Sequence, residues 1–154
     1  MFTGDRSGDW LYGTLHRVGF ANQPQSTHRT DGLQLIDAYV TAAARCAPPA
    51  NKPTPDELAN CQPFLVRELA LLHRVRVVVA LGKIAFDAYL AARSASGRPV
   101  PVPRLRFQHG RIHELGDVTL LGSYHPSQRN TQTGLLTQAM FDGVFRRARE
   151  TLGA

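Results

Sequence analysis

Cysteine is scarce in this chain: Cys46 and Cys61 are the only two in 154 residues. That count excludes a disulfide-built scaffold and leaves two buried thiols or part of a metal site. His16 and His28 could join them as zinc ligands, but they lack metal-site spacing. No apolar stretch reaches the length of a membrane span, and the opening Met1-Phe2-Thr3-Gly4-Asp5-Arg6 has no signal-peptide character. A cytoplasmic protein with no membrane partner is therefore expected. No glycine-rich phosphate fingerprint directly follows a recognisable strand, which sets aside a nucleotide-binding α/β protein. Repeats and low-complexity segments are absent as well.

Acidic side chains run short in the later part of the chain. Residues 93–154 hold nine basic and four acidic side chains, against nine and eight in residues 1–92, for a formal charge of +6. A basic field favours polyanions such as nucleic acid and makes binding salt-dependent. Sixteen of the eighteen basic residues are arginine, however, so codon bias is a competing source of the excess.

At 154 residues and 43% hydrophobic, the chain suffices for one domain with a real core, spanning residues 1–154. Residues 2–8 read as a glycine-punctuated loop feeding a helix. Ser7 or Asp9 could cap that helix, Trp10, Leu11, Leu15 and Val18 form its stripe, and Gly19 stands where a left-handed stop is expected. Leu35 to Ala43 reads as a buried strand that ends in a proline-rich loop. Thr54, Pro55 and Glu57 make a capping box, and Leu58, Cys61, Leu65, Leu69 and Leu72 mark one face of the helix that follows, with Cys61 turned inward.

Val75 to Leu81 is the clearest buried parallel strand, with Ile84 to Ala92 helical behind it. Residues 107–110 and 112–115 read as short extended pieces before a strand at Val118 to Leu121. The last helix, about Leu136 to Leu152, carries Met140, Phe141, Val144, Phe145, Ala148 and Leu152 inward and Arg146, Arg147 and Arg149 outward. This alternation predicts a three-layer α/β domain with a central, mainly parallel sheet.

The most informative stretch follows the last strand. Val118 to Leu121 stops at Gly122, and His125 then stands before Pro126 and a polar loop closed by Gly134, at the strand end where open α/β sheets bind ligands. Arg129 and Asn130 can donate to phosphate or base edges, and Ser127 and Thr131 can do so with less reach.

Tyr124-His125-Pro126-Ser127-Gln128-Arg129-Asn130-Thr131 resembles the closing motif of the iron–sulfur uracil-DNA glycosylases, specifically the type 5 branch. The resemblance runs from Phe2 to about Arg149. Thr41-Ala42-Ala43-Ala44-Arg45-Cys46 has alanine at Ala42, where the type 4 pattern places a uracil-reading asparagine, and type 5 members are linked with a broader set of deaminated bases.

The resemblance implies a hydrolase of DNA base-excision repair, a monomer whose partner is DNA carrying uracil or other deaminated bases. It implies that His125 is catalytic, stabilising the departing base, and that Phe2 stacks on that base. Asn51 would read the base edge, while Ser127, Gln128, Arg129 and Asn130 would contact DNA. Cys46 and Cys61, flanked by Arg45-Cys46-Ala47-Pro48-Pro49 and Asn51-Lys52-Pro53-Thr54-Pro55, look like the segment that supplies two thiolates to a 4Fe-4S cluster. Such a cluster takes four as a rule, and only two are present.

In that family the other cysteine pair and the first strand with its catalytic motif precede the point matching Met1. The expectation is therefore an amino-terminally shortened uracil-DNA glycosylase-like domain that lacks its first strand and holds a cluster poorly. The alternative is a catalytically inactive, truncated DNA-binding module.

Overall fold

The computed structural model describes residues 4–44 and 53–153. Phe2, Cys46 and Asn51 lie outside the described residues.

Asp5 starts helix α1 (Arg6–Val18) by accepting from the Gly8 amide at 2.6 Å, and Gly19 ends it in a left-handed conformation. The cap is thus Asp5 and not Ser7 or Asp9. Ser7 is used elsewhere, and Asp9 sits in the first turn, where a negative charge suits the helix dipole. Helix α2 (Pro55–Leu71) opens with the expected capping box between Thr54 and Glu57. Strand β1 (Val77–Leu81) passes through Gly82 into α3 (Lys83–Ala95). Two further strands, β2 (Ile112–Glu114) and β3 (Thr119–Ser123), precede the short α4 (Gln128–Gln132) and α5 (Gln138–Thr151), capped by Thr137.

The sheet has the order β1-β3-β2. β1 and β3 pair in parallel from Val77 opposite Thr119 to Leu81 opposite Ser123, and the three-residue β2 adds an antiparallel edge. Alternation along the central strands builds the three layers. Val78, Ala80 and Leu120 face Phe86, Tyr89 and Leu90 of α3, whereas Val77, Val79 and Leu121 face Val144 and Ala148 of α5. α2 covers α3 on one side, and α1 covers α5 on the other.

Leu35 to Ala43 is not a strand. Its one sheet-like link is an isolated bridge from Leu35 to Ala21. Leu33 and Leu35 pack inward, Ile36 is 45% exposed, and the pattern then slips at Asp37, whose φ is 54°. Ala38 and Val40 consequently turn in and Tyr39 out, so the segment lies as an apolar strap over the α1–α5 cluster. A left-handed residue in mid-run breaks the period of two that a strand needs.

Arg149 also departs from its expected outward pose. Its guanidinium lies 4.0 Å from the Phe20 ring centroid, donates to the carbonyls of Val18 and Gly19, and pairs with Asp37 at 3.6 Å. It tethers the end of α1 to α5.

The same helix pair shares a buried carboxylate. Asp142 accepts from Thr14 Oγ1 at 2.6 Å, from Arg17 Nη2 at 2.9 Å and Nε at 3.0 Å, and from Gln138 Nε2 at 2.9 Å. Burial pushes its pKa up, but these donors outweigh burial and hold it at about 2, below the ordinary 3.8. A carboxylate depressed in the folded state contributes stability that is present above the unfolded pKa and lost as pH falls through the folded one. Arg17 is 45% exposed, so the contribution is discounted to about 1–2 kcal/mol. Asp142→Asn should lower stability at neutral pH by about that amount and flatten the decline between about pH 5 and pH 2. Urea midpoints of both proteins across that range measure it, and parallel pH profiles would rule the assignment out.

Candidate active site

All five residues of β3 are buried, so this strand delivers its carboxyl end to a fixed place. Close approach behind it is enforced by Gly122, where a Cβ would fall 2.8 Å from the Gln108 carbonyl oxygen and 3.2 Å from the Phe107 ring. The Gly110 amide donates to the Gly122 carbonyl at 2.8 Å, which clamps residues 107–111 onto the strand. The chain leaves the sheet at Tyr124, and His125 follows, half-buried, ahead of the fully buried Pro126.

Three elements converge on His125. From β1, Gly82 donates to the Ser123 carbonyl at 2.7 Å and stands so near that its Cβ would lie 3.4 Å from the Cβ of His125. Its φ of 91° and ψ of 164° belong to a region that glycine alone adopts without strain. From α1, Ser7 Oγ donates to the Pro126 carbonyl at 2.8 Å. From α4, the Asn130 side-chain amide donates to the His125 carbonyl at 2.9 Å, and Ser127 Oγ accepts from the Asn130 amide at 3.2 Å. The amino ends of α1 and α3 therefore lie beside this histidine, an arrangement that favours negative charge.

Burial pushes the His125 pKa below the ordinary histidine value, and the charge of Asp5 only partly opposes it. The ring is consequently neutral at physiological pH. A neutral imidazole keeps one N–H and can donate a hydrogen bond without having to lose a charge.

The expected polar loop after Pro126 is in fact a helical turn, because Ser127 supplies an N-cap. That changes what two of the candidate residues do within the protein. Ser127 and Asn130 shape the turn and hold His125, while Gln128 and Arg129 stand exposed on its outside. Cys61 is half-buried on α2. Among the described residues no group of three or more histidine, cysteine or acidic side chains could hold a metal ion. The chain's two thiolates fall short of the four a cubane cluster takes, so the residues present do not fit that group and no chemical step is assigned to it.

Sequence reasoning passed over Gly82, Asp5 as the cap beside His125, and His109. His109 Nδ1 accepts from the Tyr124 amide at 2.9 Å, and its ring stacks on that of Tyr124 with centroids 4.8 Å apart. The available signal for Gly82 was a glycine at the end of a strand parallel to the one before His125.

The Uracil DNA glycosylase superfamily model matches residues 1–149, and the chain belongs to that superfamily. Within it, the similarity is to the type-5 branch. The chain is 50% identical to a type-5 uracil-DNA glycosylase of Mycobacterium bovis, across 99% of this chain and 56% of that protein. It is 48% identical to one of Thermus thermophilus, across 99% of this chain and 67% of that protein. A type-4 uracil-DNA glycosylase of Thermotoga maritima is 31% identical over 64% of this chain and 48% of its own length. The chain thus spans little more than half of the mycobacterial relative.

Gly82→Ala should destabilise the protein by about 1–3 kcal/mol through backbone strain alone. Urea unfolding is the check, and a stability equal to that of the parent would mean that the turn relaxes without cost.

Proposed function

We propose that this chain carries the base-releasing centre of a DNA repair glycosylase that hydrolyses the N-glycosidic bond of uracil, and of other deaminated bases, in DNA. The observation that carries the reading is the neutral, half-buried His125 at the carboxyl end of β3, flanked by the starts of α1 and α3. The similarity to type-5 uracil-DNA glycosylases supports it.

Excision begins with the damaged nucleotide leaving the stack, at a cost of a few kcal/mol that is least for a mispaired base. Gln128 and Arg129, exposed on α4, are placed to enter the duplex, with Ser127 and Asn130 beneath them. Phe2 stacks on the extruded ring, worth about 1–3 kcal/mol in base–aromatic contacts. Asn51 reads the base edge through its amide.

Bond cleavage passes through an oxocarbenium-like sugar while negative charge grows on the base. His125 donates its N–H to the base O2 as that charge develops, in the manner of an oxyanion hole. A ring that is neutral at the outset strengthens this hydrogen bond as the base becomes an anion. Alanine at Ala42 in place of the type 4 asparagine fits acceptance of several deaminated bases. The protein acts as a cytoplasmic monomer. Cys46 and Cys61 correspond to two of the four thiolates of the cluster in a full-length family member, and two alone do not hold it.

His125→Ala should reduce the single-turnover release of uracil from duplex DNA by about 100- to 1000-fold, the typical effect of losing one oxyanion donor. Affinity for the same duplex should stay within a few-fold by fluorescence anisotropy. Near-normal release by the variant removes His125 from the chemistry, and a parent chain that binds the duplex but frees no base is a DNA-binding module instead. A second outcome concerns the metal: the purified 154-residue chain should lack the visible charge-transfer absorbance of a 4Fe-4S cluster, and its presence would show that two cysteines suffice.

A further inference from the structure

His109 has no part in the chemistry assigned above, yet it touches the Ser123–Tyr124 peptide, one residue before His125. Its Nδ1 accepts from the Tyr124 N–H at 2.9 Å, so the lone pair is on Nδ1 and the ring proton on Nε2. The ring lies against Tyr124 at an interplanar angle of 21° and shares a cavity wall with Met140 of α5. Little freedom remains, because Arg147 Nη1 of α5 donates to the Gly110 carbonyl at 2.8 Å while Gly110 itself is bonded to Gly122.

We propose that His109 is a positioning residue: its neutral ring holds the Ser123–Tyr124 peptide, the one just before His125, beside α5, and protonation of Nδ1 lets the His125 segment go. A protonated Nδ1 is a donor and cannot accept from the Tyr124 N–H, so the two hydrogens would face each other. Burial and the charge of Arg147 press the ring toward the neutral form, with the Met140 hydrogen bond opposing. The ionisable groups facing the ring are Arg147 from α5 and the Tyr124 phenol from the segment after β3. Arg111, in its own segment, is turned to the Gln108 side chain at 3.4 Å. A cavity of about 330 Å³ lined by His109, Met140, Gly143 and Arg147 gives water a route to the ring. The folded-state pKa lies below the unfolded one, so the hold is complete above the ordinary histidine range and is lost as pH falls through the folded value.

The effect on turnover rests on the reading of His125 given above, whereas the hold itself does not, and the test separates them. In ring-nitrogen NMR of the parent chain, His109 should be the Nε2–H form at neutral pH. Its acid titration should move the His125 ring signals and speed the hydrogen exchange of the Tyr124 amide. His109→Asn keeps an acceptor at the Nδ1 place, so Tyr124 protection and uracil release should stay within a few-fold while this acid transition disappears. His109→Leu leaves the amide without an acceptor, so protection and kcat should fall about ten- to a hundredfold with KM little changed.

Three results would each overturn the proposal. One is a folded His109→Leu with Tyr124 protection and His125 signals unchanged, and another is His109→Asn behaving like His109→Leu. The third is a parent titration in which His125 does not follow His109, which also decides the matter if the leucine variant does not fold. If the parent frees no uracil, the turnover reading fails and the exchange and ring signals still decide the hold.

Discussion

The structure depends on the burial of β3 between two helical layers. Leu120 and Leu121 point to opposite faces and are both wholly buried, one against α3 and the other against α5. A one-residue slip would exchange the two cores, so the register of this strand is strongly fixed. Because β1 is locked beside it in parallel, the two strands release their chains at the same level, at Gly82 and at Tyr124. The place of His125 is therefore a consequence of hydrophobic packing far from it.

Around that fixed end the protein uses short polar contacts whose length leaves little play. Ser7, Asn130 and His109 each hold a backbone group on or next to His125. Asp5 serves twice, capping α1 and placing a negative charge near the ring. The two influences on His125 oppose each other and burial prevails, which is the ordering needed for a neutral donor. A carboxylate in direct contact would reverse it and give an imidazolium that binds anions at rest, with less to gain as charge develops.

What could be read from the sequence follows the range of the forces involved. The capping box at Thr54, the Gly19 stop, β1 and the inward face of α5 are encoded within a few residues, and the structure has them. His125 was legible because a strand end, a proline and a polar stretch closed by glycine adjoin it in sequence. The strand expected at Leu35 to Ala43 was not to be had, since its hydrophobicity is right and only the backbone of Asp37 breaks the alternation. His109 and Gly82 act through contacts 15 and 43 positions distant from Tyr124 and His125, and nothing local announces them.

Charge shows the same limit. The excess of base over acid in residues 93–154 invites the picture of a single positive face, but most of these arginines have structural tasks. Arg93 is buried and holds Asp117 and the carbonyls of Pro99 and Leu115. Arg98 shares Asp117, Arg104 pairs with Asp87, Arg147 clamps Gly110, and Arg149 covers Phe20. Salt bridges and carbonyl bonds fix where each of these guanidinium groups lies. Arg129 is exposed on α4 after His125, and exposed Arg6 and Lys83 are the first residues of α1 and α3, whose amino ends add their own positive potential. On the proposed reading such a site would draw a phosphate chain weakly at long range and firmly at contact, because helix-end fields fade within about one turn while a hydrogen bond to a backbone amide does not depend on net charge. Recognition at this rim, on that reading, is a matter of geometry delivered by β3 and β1, with the overall charge of +6 acting as a background that salt can screen.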